Sequence, residues 1–358
     1  MMKNFLCLVT FLILISQTIF SQVLLSADGL GNTYELINAV LANPNRSVVE
    51  TPDCSHTDFG NHIDEVFDTE LNKNVFRFHI HVSLDNDRCK KFDRQRNEIK
   101  TYADSPENLK ATKGETVAYK WKFKLSNSFK PSSSFTHIHQ LKVVGGPYAS
   151  IPMISFTLRK GKPDKLELRY TATKDQNTLK TVDLNLLKGK WLEVTEYVKF
   201  DDVGSYSVEI KTVSNNKVIF NYANSPLDTW QDGAEFARPK WGIYRSLNNK
   251  EDLQDEIVKF ADFSIQEITS SLSVETLKEK ASAILLFPNP ASEDVEFKNV
   301  KLDTYDLIEV YDYSGRKIST DKKLHNDKLN VSGFSKGLYF IVFKKDAIIV
   351  KVLKCYVK

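Results

Sequence analysis

From Val75 to Ile268 the chain alternates apolar and polar residues in short runs, each closed by turn residues. Tyr119, Trp121, Phe123 and Leu125 interleave with Lys120, Lys122 and Lys124. Strict period-two alternation sets one face of a strand on a core and the other in water. Such runs predict strands over Val75–Val82, Glu115–Lys124, Phe135–Val144, Ile154–Arg159, Lys165–Thr171, Trp191–Lys199, Ser205–Thr212, Lys217–Tyr222, Lys240–Ser246 and Ile257–Ile268. A helical period shows only at Tyr34–Leu41. Many short strands without an internal repeat argue against a propeller. They predict an all-β fold, a large antiparallel β-jelly roll of the concanavalin-like sandwich kind, with its concave face free to line a groove.

The two ends read differently. Residues 1–21 carry Lys3 and then an apolar run, Phe5–Ile15, too short to span a bilayer, and read as a secretory signal. The mature chain is then expected to be soluble and outside the cytoplasm. Residues 22–268 form the jelly roll and 269–283 a polar linker, followed by a second block at 284–358. That block reads LLFPNPASEDVEF, LIEVYDYSGRKI, GFSKGLYFIVF and IIVKVLK, short strands between turn residues, and predicts a small C-terminal β-sandwich. Its FPNP opening, YDYSGR turn and G-x-Y-x-I-x-F strand resemble the sorting domain of the type IX secretion system of Bacteroidetes. The resemblance implies export across the outer membrane by that machinery, to a secreted or cell-surface location.

Composition narrows the field. With 41% hydrophobic and 27% charged residues, a disordered or low-complexity chain is excluded. Lys plus Arg is 49 and Asp plus Glu is 46, so the net charge of +3 gives no case for a nucleic-acid partner. Of four cysteines, Cys7 falls in the signal and Cys355 near the C-terminus. An oxidising compartment favours a Cys54–Cys89 disulfide.

Three segments are unusually polar for strands. In Asp93–Lys100, Arg94, Arg96, Glu98 and Lys100 share one face if the segment is extended, a pattern suited to a polyanion. In Phe135–Val143, one face holds Phe135, His137, His139, Leu141 and Val143 and is expected against the core. The other holds Thr136, Ile138, Gln140 and Lys142. Paired histidines can ligate a metal, and His79 and His81 form a second pair, so a four-His site is a lesser alternative to packed histidines. In Lys240–Ser246, Gly242 removes a side chain between Lys240 and Tyr244, which would let a ligand approach closely.

Together these segments resemble the R-x-E-x-R/K, Q-x-H and K-x-G-x-Y strands of alginate-lyase-type jelly rolls. The counterparts are Arg96–Lys100, Gln140-Leu141-Lys142 and Lys240–Tyr244, with Lys142 standing where alginate lyases have His. The stretches VETPDC, FRFHIHVSLDNDRC, FDRQRNEIKTY, FTHIHQLKVVGG and KWGIYRS resemble the jelly-roll ulvan lyases of marine Bacteroidetes more closely. In that family Lys replaces His as the base.

The resemblance implies an endolytic lyase cleaving between sulfated rhamnose and a uronic acid. β-Elimination needs a group to neutralise the uronate carboxylate, a base for the C5 proton and an acid for the departing O4. Gln140 and Arg96 are the candidates for the carboxylate, Lys142 for the base and Tyr244 for the acid. A free Lys is a poor base near neutrality, and crowding by Arg96, Lys100 and Lys240 would lower its pKa. Arg94, Lys100, Lys240 and Arg245 are candidates for binding sulfate, Glu98 for orienting Arg96 at the substrate site, and Tyr148 for stacking on a sugar. Trp241 points away from Tyr244 and belongs in the core.

No cofactor is required by this chemistry. A structural Ca²⁺ would suit the fold class, with Asp262, Asp53 or Asp58 as ligands. The chain is expected to act as a monomer on an anionic sulfated polysaccharide, ulvan. The alternatives are a lyase for glucuronan or alginate, and a non-catalytic carbohydrate-binding jelly roll. A glycoside hydrolase would need two converging carboxylates, of which only Glu98 is well placed.

Overall fold

The computed structural model describes residues 22–268 and, toward the C-terminus, 285–298, 305, 307–313, 316–321, 328–345 and 348–358. The expected signal at 1–21 and linker at 269–283 lie outside the described residues. The chain divides into two compact units, 1–272 and 273–358.

The first unit is a two-sheet antiparallel sandwich. Its strands are β1 (Val23–Leu25), β2 (Val49–Glu50), β3 (Ile63–Asp68), β4 (Lys73–Ile80), β5 (Arg94–Lys100), β6 (Thr116–Lys124), β7 (Thr136–Val144) and β8 (Ile154–Arg159). Then come β9 (Lys165–Tyr170), β10 (Asn177–Asp183), β11 (Leu192–Lys199), β12 (Gly204–Thr212), β13 (Val218–Leu227), β14 (Phe236–Ser246) and β15 (Glu256–Ile268). One helix, α1 (Thr33–Leu41), packs Ile37 and Leu41 on the core. The first sheet runs β13-β12-β11-β6-β15-β4-β3, with β1 on β15, and the second runs β10-β9-β8-β7-β14-β5-β2.

The alternation in β6 does what period two requires. Tyr119, Trp121 and Phe123 are buried and Lys120 is exposed. Aromatic rings fill the space between the sheets: Trp121 lies 6.0 Å from Phe260, and Trp241 lies 5.0 Å from Phe263. At about 25 cal/mol per Å² of apolar surface, burial of this kind is the main stabilising term.

A polar contact crosses the same layer. His139 Nε2 on β7 lies 2.8 Å from Glu196 Oε2 on β11, both side chains shielded from solvent, and Tyr206 donates to the other Glu196 oxygen at 2.7 Å. The disulfide Cys54–Cys89 is formed, with Cα atoms 6.3 Å apart.

Strands β1, β2, β3 and β10 were not expected from the pattern. β2 has two residues and β1 three, too short for a periodic signal, and β10 is an edge strand with little burial. The second unit contains β16 (Leu285–Phe287), β17 (Asp294–Lys298), β18 (Leu307–Asp312), β19 (Lys317–Asp321), β20 (Lys328–Asn330), β21 (Gly337–Lys345) and β22 (Ile348–Val357). They make sheets β16-β17-β20 and β19-β18-β21-β22 around Val295, Phe297, Ile341, Phe343 and the free Cys355.

Candidate active site

The outward face of β5, β7 and β14 gathers the polar residues. β14 pairs with β5 in regular register, setting Lys240 opposite Lys100, Gly242 opposite Glu98 and Tyr244 opposite Arg96. On its other side β14 sets Lys240 opposite Gln140 and Arg238 opposite Lys142. A β-bulge then intervenes, so that Tyr244 lies opposite His137 and Trp241 opposite His139. A bulge resets which residues face outward. His137 therefore joins Gln140 and Lys142 on the outer face, while His139 turns inward against Trp241 at 5.7 Å.

This corrects the expectation that His137 packs on the core. Its ring stands 5.9 Å from Tyr244 and stacks on Phe135 at 5.0 Å, with Nδ1 2.6 Å from Thr157 Oγ1. Burial, reinforced by Arg96, Lys142 and Arg159 against the pull of Glu98, lowers its pKa to about 3, so the ring is neutral near pH 7.

Gly242 also has a different reason from the one expected. Its φ is +143°, and a Cβ there would sit 2.2 Å from Asn97 O and 2.7 Å from Glu98 Cα. The glycine serves the close approach of two strands at the bulge, not the approach of a ligand.

Two buried carboxylates organise the cations. Glu98 accepts from Gln140 at 2.5 Å and from Arg96, and Lys240 lies 2.6 Å away. Glu50 accepts from Lys240 and Arg88 at 2.5 Å each and from Lys100 at 2.8 Å. Burial alone would raise the pKa of Glu50, but Lys240, Lys100 and Arg96 outweigh it and hold the group far below the usual carboxylate range. Glu98 is lowered in the same way, by Lys240 and Arg96 against its own burial. Arg96 is fixed further by Nε donating to Asp87 at 2.9 Å, and no described residue accepts from its Nη2.

Lys142 stands apart from these pairs. Its ammonium donates to the Ser150 carbonyl at 2.8 Å. Burial and the positive charges of Lys240, Arg238 and Arg96, only partly offset by Glu98, bring its pKa down to about 7. Arg238, opposite Lys142, is 7% exposed, and its Nε and Nη1 have no hydrogen-bond partner among the described residues. Tyr244 accepts from Arg94 Nη1 at 3.0 Å and carries the Arg96 guanidinium 3.6 Å from its ring centroid. No described residue accepts the proton of Tyr244.

The structure thus brings Lys142, Gln140, Arg96, Arg94, Lys100, Lys240 and Tyr244 to one face. Arg245 is not there. It alternates with Tyr244, is fully buried, and donates to Gln95 Oε1 at 2.7 Å and the Gln254 carbonyl at 2.9 Å, so it cannot bind sulfate. Glu98 is fully buried beneath its cations and positions Arg96, Gln140 and Lys240 without reaching a substrate.

Glu50, Asp87, His137 and Arg238 were missed. Glu50 comes from a two-residue strand and Asp87 from a loop, neither of which carries a pattern. Arg238 lay just outside the expected strand.

The four-His alternative is not assembled. His79 lies 3.0 Å from Asp64, His137 and His139 part at the bulge, and His81 joins a loop cluster described below. Of the expected calcium ligands, Asp262 is held by Lys73 and Lys122 at 2.5 and 2.6 Å, Asp53 by His62, and Asp58 is exposed.

Residues 285–358 match the family model of a secretion system C-terminal sorting domain. The chain is accordingly one exported to the medium or the cell surface, and among the described residues no helix is long and apolar enough to cross a membrane. No curated protein matches the chain. Among solved structures, the alginate lyase of Aplysia kurodai is similar at 14% identity and TM-score 0.47, over 68% of this chain and 98% of that one. The endo-β-1,4-glucuronan lyase of Trichoderma reesei is similar at 13% and 0.42, over 57% and 86%. An alginate lyase of Pseudomonas aeruginosa is similar at 12% and 0.38, over 56% and 84%. At these values the likeness is one of architecture alone.

Proposed function

We propose that the chain is a polysaccharide lyase that cleaves ulvan endolytically, between sulfated rhamnose and a uronic acid, by β-elimination. The observation that carries this reading is a pairing on one sheet face. An amine whose pKa lies near 7 shares that face with a phenol whose proton no described residue accepts.

The roles follow from the contacts. Arg96 Nη2 and the second amide hydrogen of Gln140 are the donors left to neutralise a uronate carboxylate, which makes the C5 proton removable. Lys142 in its neutral form takes that proton. The electron pair left at C5 forms the C4=C5 bond as the C4–O4 bond breaks, and Tyr244 protonates the departing O4. Lys142 ends as ammonium and Tyr244 as phenolate, and a proton passing through solvent restores both. Arg94, donating to the phenol oxygen, stabilises the phenolate.

Sulfate recognition is supported by Arg238, a guanidinium on the Lys142 end of the face whose charge no described carboxylate pairs and whose Nε and Nη1 have no hydrogen-bond partner among the described residues. A hydrolase is disfavoured because Glu50 and Glu98 are each saturated by cations and withdrawn from solvent.

The test is ultraviolet absorbance of the unsaturated uronyl end on mixing the chain with ulvan. Wild type is expected to produce it, while Lys142→Ala and Tyr244→Phe fold and do not. Depolymerisation without the chromophore, or full activity in either variant, refutes the reading.

A further inference from the structure

We propose that His56, His62, His81 and Asp85 bind one Zn²⁺ ion, which ties the loop carrying His56 and His62 to the loop carrying His81 and Asp85. This inference is independent of the lyase reading. Asp85 is 2% exposed and is approached by three imidazoles: His56 Nδ1 at 2.9 Å, His62 Nε2 at 3.1 Å and His81 Nδ1 at 3.1 Å. One donor atom from each residue lies within 4.8 Å of the others. A tetrahedral zinc with bonds of about 2.0–2.1 Å needs donor atoms about 3.3 Å apart, so a small inward movement of partly exposed rings completes the shell.

Two further contacts point to a metal. A ligating histidine donates its remaining N–H to a carboxylate, which fixes the tautomer and turns the free nitrogen to the ion. His62 has this arrangement, with Nδ1 2.7 Å from Asp53 Oδ1, and Asp53 is in turn held by the Tyr34 hydroxyl at 2.8 Å. A dication would also offset the two carboxylates gathered here, Asp85 and Asp53. Phe59 packs on His62 at 4.7 Å and on His81 at 4.3 Å, covering the cluster. Three imidazoles and one carboxylate suit zinc better than calcium, which prefers an all-oxygen shell. With four protein ligands the ion is structural, with no position for substrate.

The site bears on the sheet face nearby. Asp87, two residues beyond Asp85, accepts from Arg96, and Gln95 Nε2 donates to the Asp85 carbonyl at 3.0 Å. Fixing the loop fixes the carboxylate beneath Arg96.

The full chain, made without a histidine tag and equilibrated with micromolar zinc chloride, is to be analysed by mass spectrometry for bound metal. One zinc per chain is expected, with a higher unfolding midpoint than the chelator-treated protein. The double variant H56A/H81A is expected to lose the metal, and Asp53→Asn to bind it about 10–100-fold more weakly. Absence of bound zinc in folded wild type, calcium in its place, or unchanged stoichiometry in the double variant overturns the proposal. If that variant fails to fold, unchanged zinc affinity of Asp53→Asn and of His56→Ala in a chelator competition overturns it.

Discussion

Arg94 on β5 donates a hydrogen bond to the phenol oxygen of Tyr244 on β14 at 3.0 Å, across a pairing that sets Tyr244 beside Arg96. The phenol oxygen accepts, so its own proton stays outside the protein's hydrogen bonds. An acid in a lyase needs that arrangement.

Tyr244→Phe removes the proton and keeps the ring beneath Arg96. Turnover should fall by about 10²–10⁴-fold, the usual contribution of a positioned acid or base. KM should change little, because the ring contact is retained. Steady-state kinetics on ulvan check this, and unchanged kcat removes Tyr244 from the mechanism.

Lys142 predicts opposite effects on rate and stability. As a base it must be neutral, so kcat/KM should rise with pH through about 7. Its pKa in the fold lies below the ordinary 10.5. Below about pH 7 both folded and unfolded states hold the proton, and the fold bears the full cost of burying it. Between about 7 and 10.5 the unfolded chain binds more protons, so stability rises with pH across that window. Lys142→Met should abolish turnover and raise the unfolding midpoint at pH 6. A lower midpoint there contradicts this account of its environment.

Arg238 should separate sulfated from unsulfated substrates. If its unpaired donors meet sulfate, Arg238→Ala raises KM on ulvan and leaves activity on chemically desulfated ulvan unchanged. Equal losses on both polymers would assign it a structural role.

Glu50 predicts a stability effect without a change in the chemical roles. Glu50→Gln leaves Lys240, Lys100 and Arg88 short of their carboxylate in a buried site, and breaking such a network costs about 3–5 kcal/mol. Denaturant unfolding measures it, and a change below about 1 kcal/mol would mean that solvent already screens these charges.

The inter-sheet pair makes a similar prediction in the core. His139→Ala leaves one oxygen of the buried Glu196 without its partner while the Tyr206 hydroxyl holds the other, and should cost about 1–3 kcal/mol. The double replacement His139→Leu with Glu196→Leu should recover much of that loss. A double variant no better than the single one would show that ring packing against Trp121 and Trp241, not charge, is what His139 supplies.

The strand pattern from β6 to β15, the edge strand β10 excepted, was legible because those strands pack a face on a common core, and period two is the direct consequence. The same alternation placed Tyr244, Lys240, Glu98 and Arg96 on one face, since β5 and β14 pair without interruption. The C-terminal turn motifs were equally local, and the matching family model covers them.

What periodicity could not show begins at the bulge between β14 and β7. One extra residue breaks the alternation, so His137 stands on the outer face while His139 keeps the core position expected of it. Glu50, Asp87 and the His56–His62–His81–Asp85 cluster depend on loops and a two-residue strand meeting across distant segments, and no spacing along the chain encodes that meeting. The amino-acid sequence alone determined the strands, the outward row of cations and the export domain, because each is a property of neighbours along the chain. Only the tertiary structure decided which cations are neutralised and which amine, Lys142, is left without a carboxylate, because charge and burial act through space.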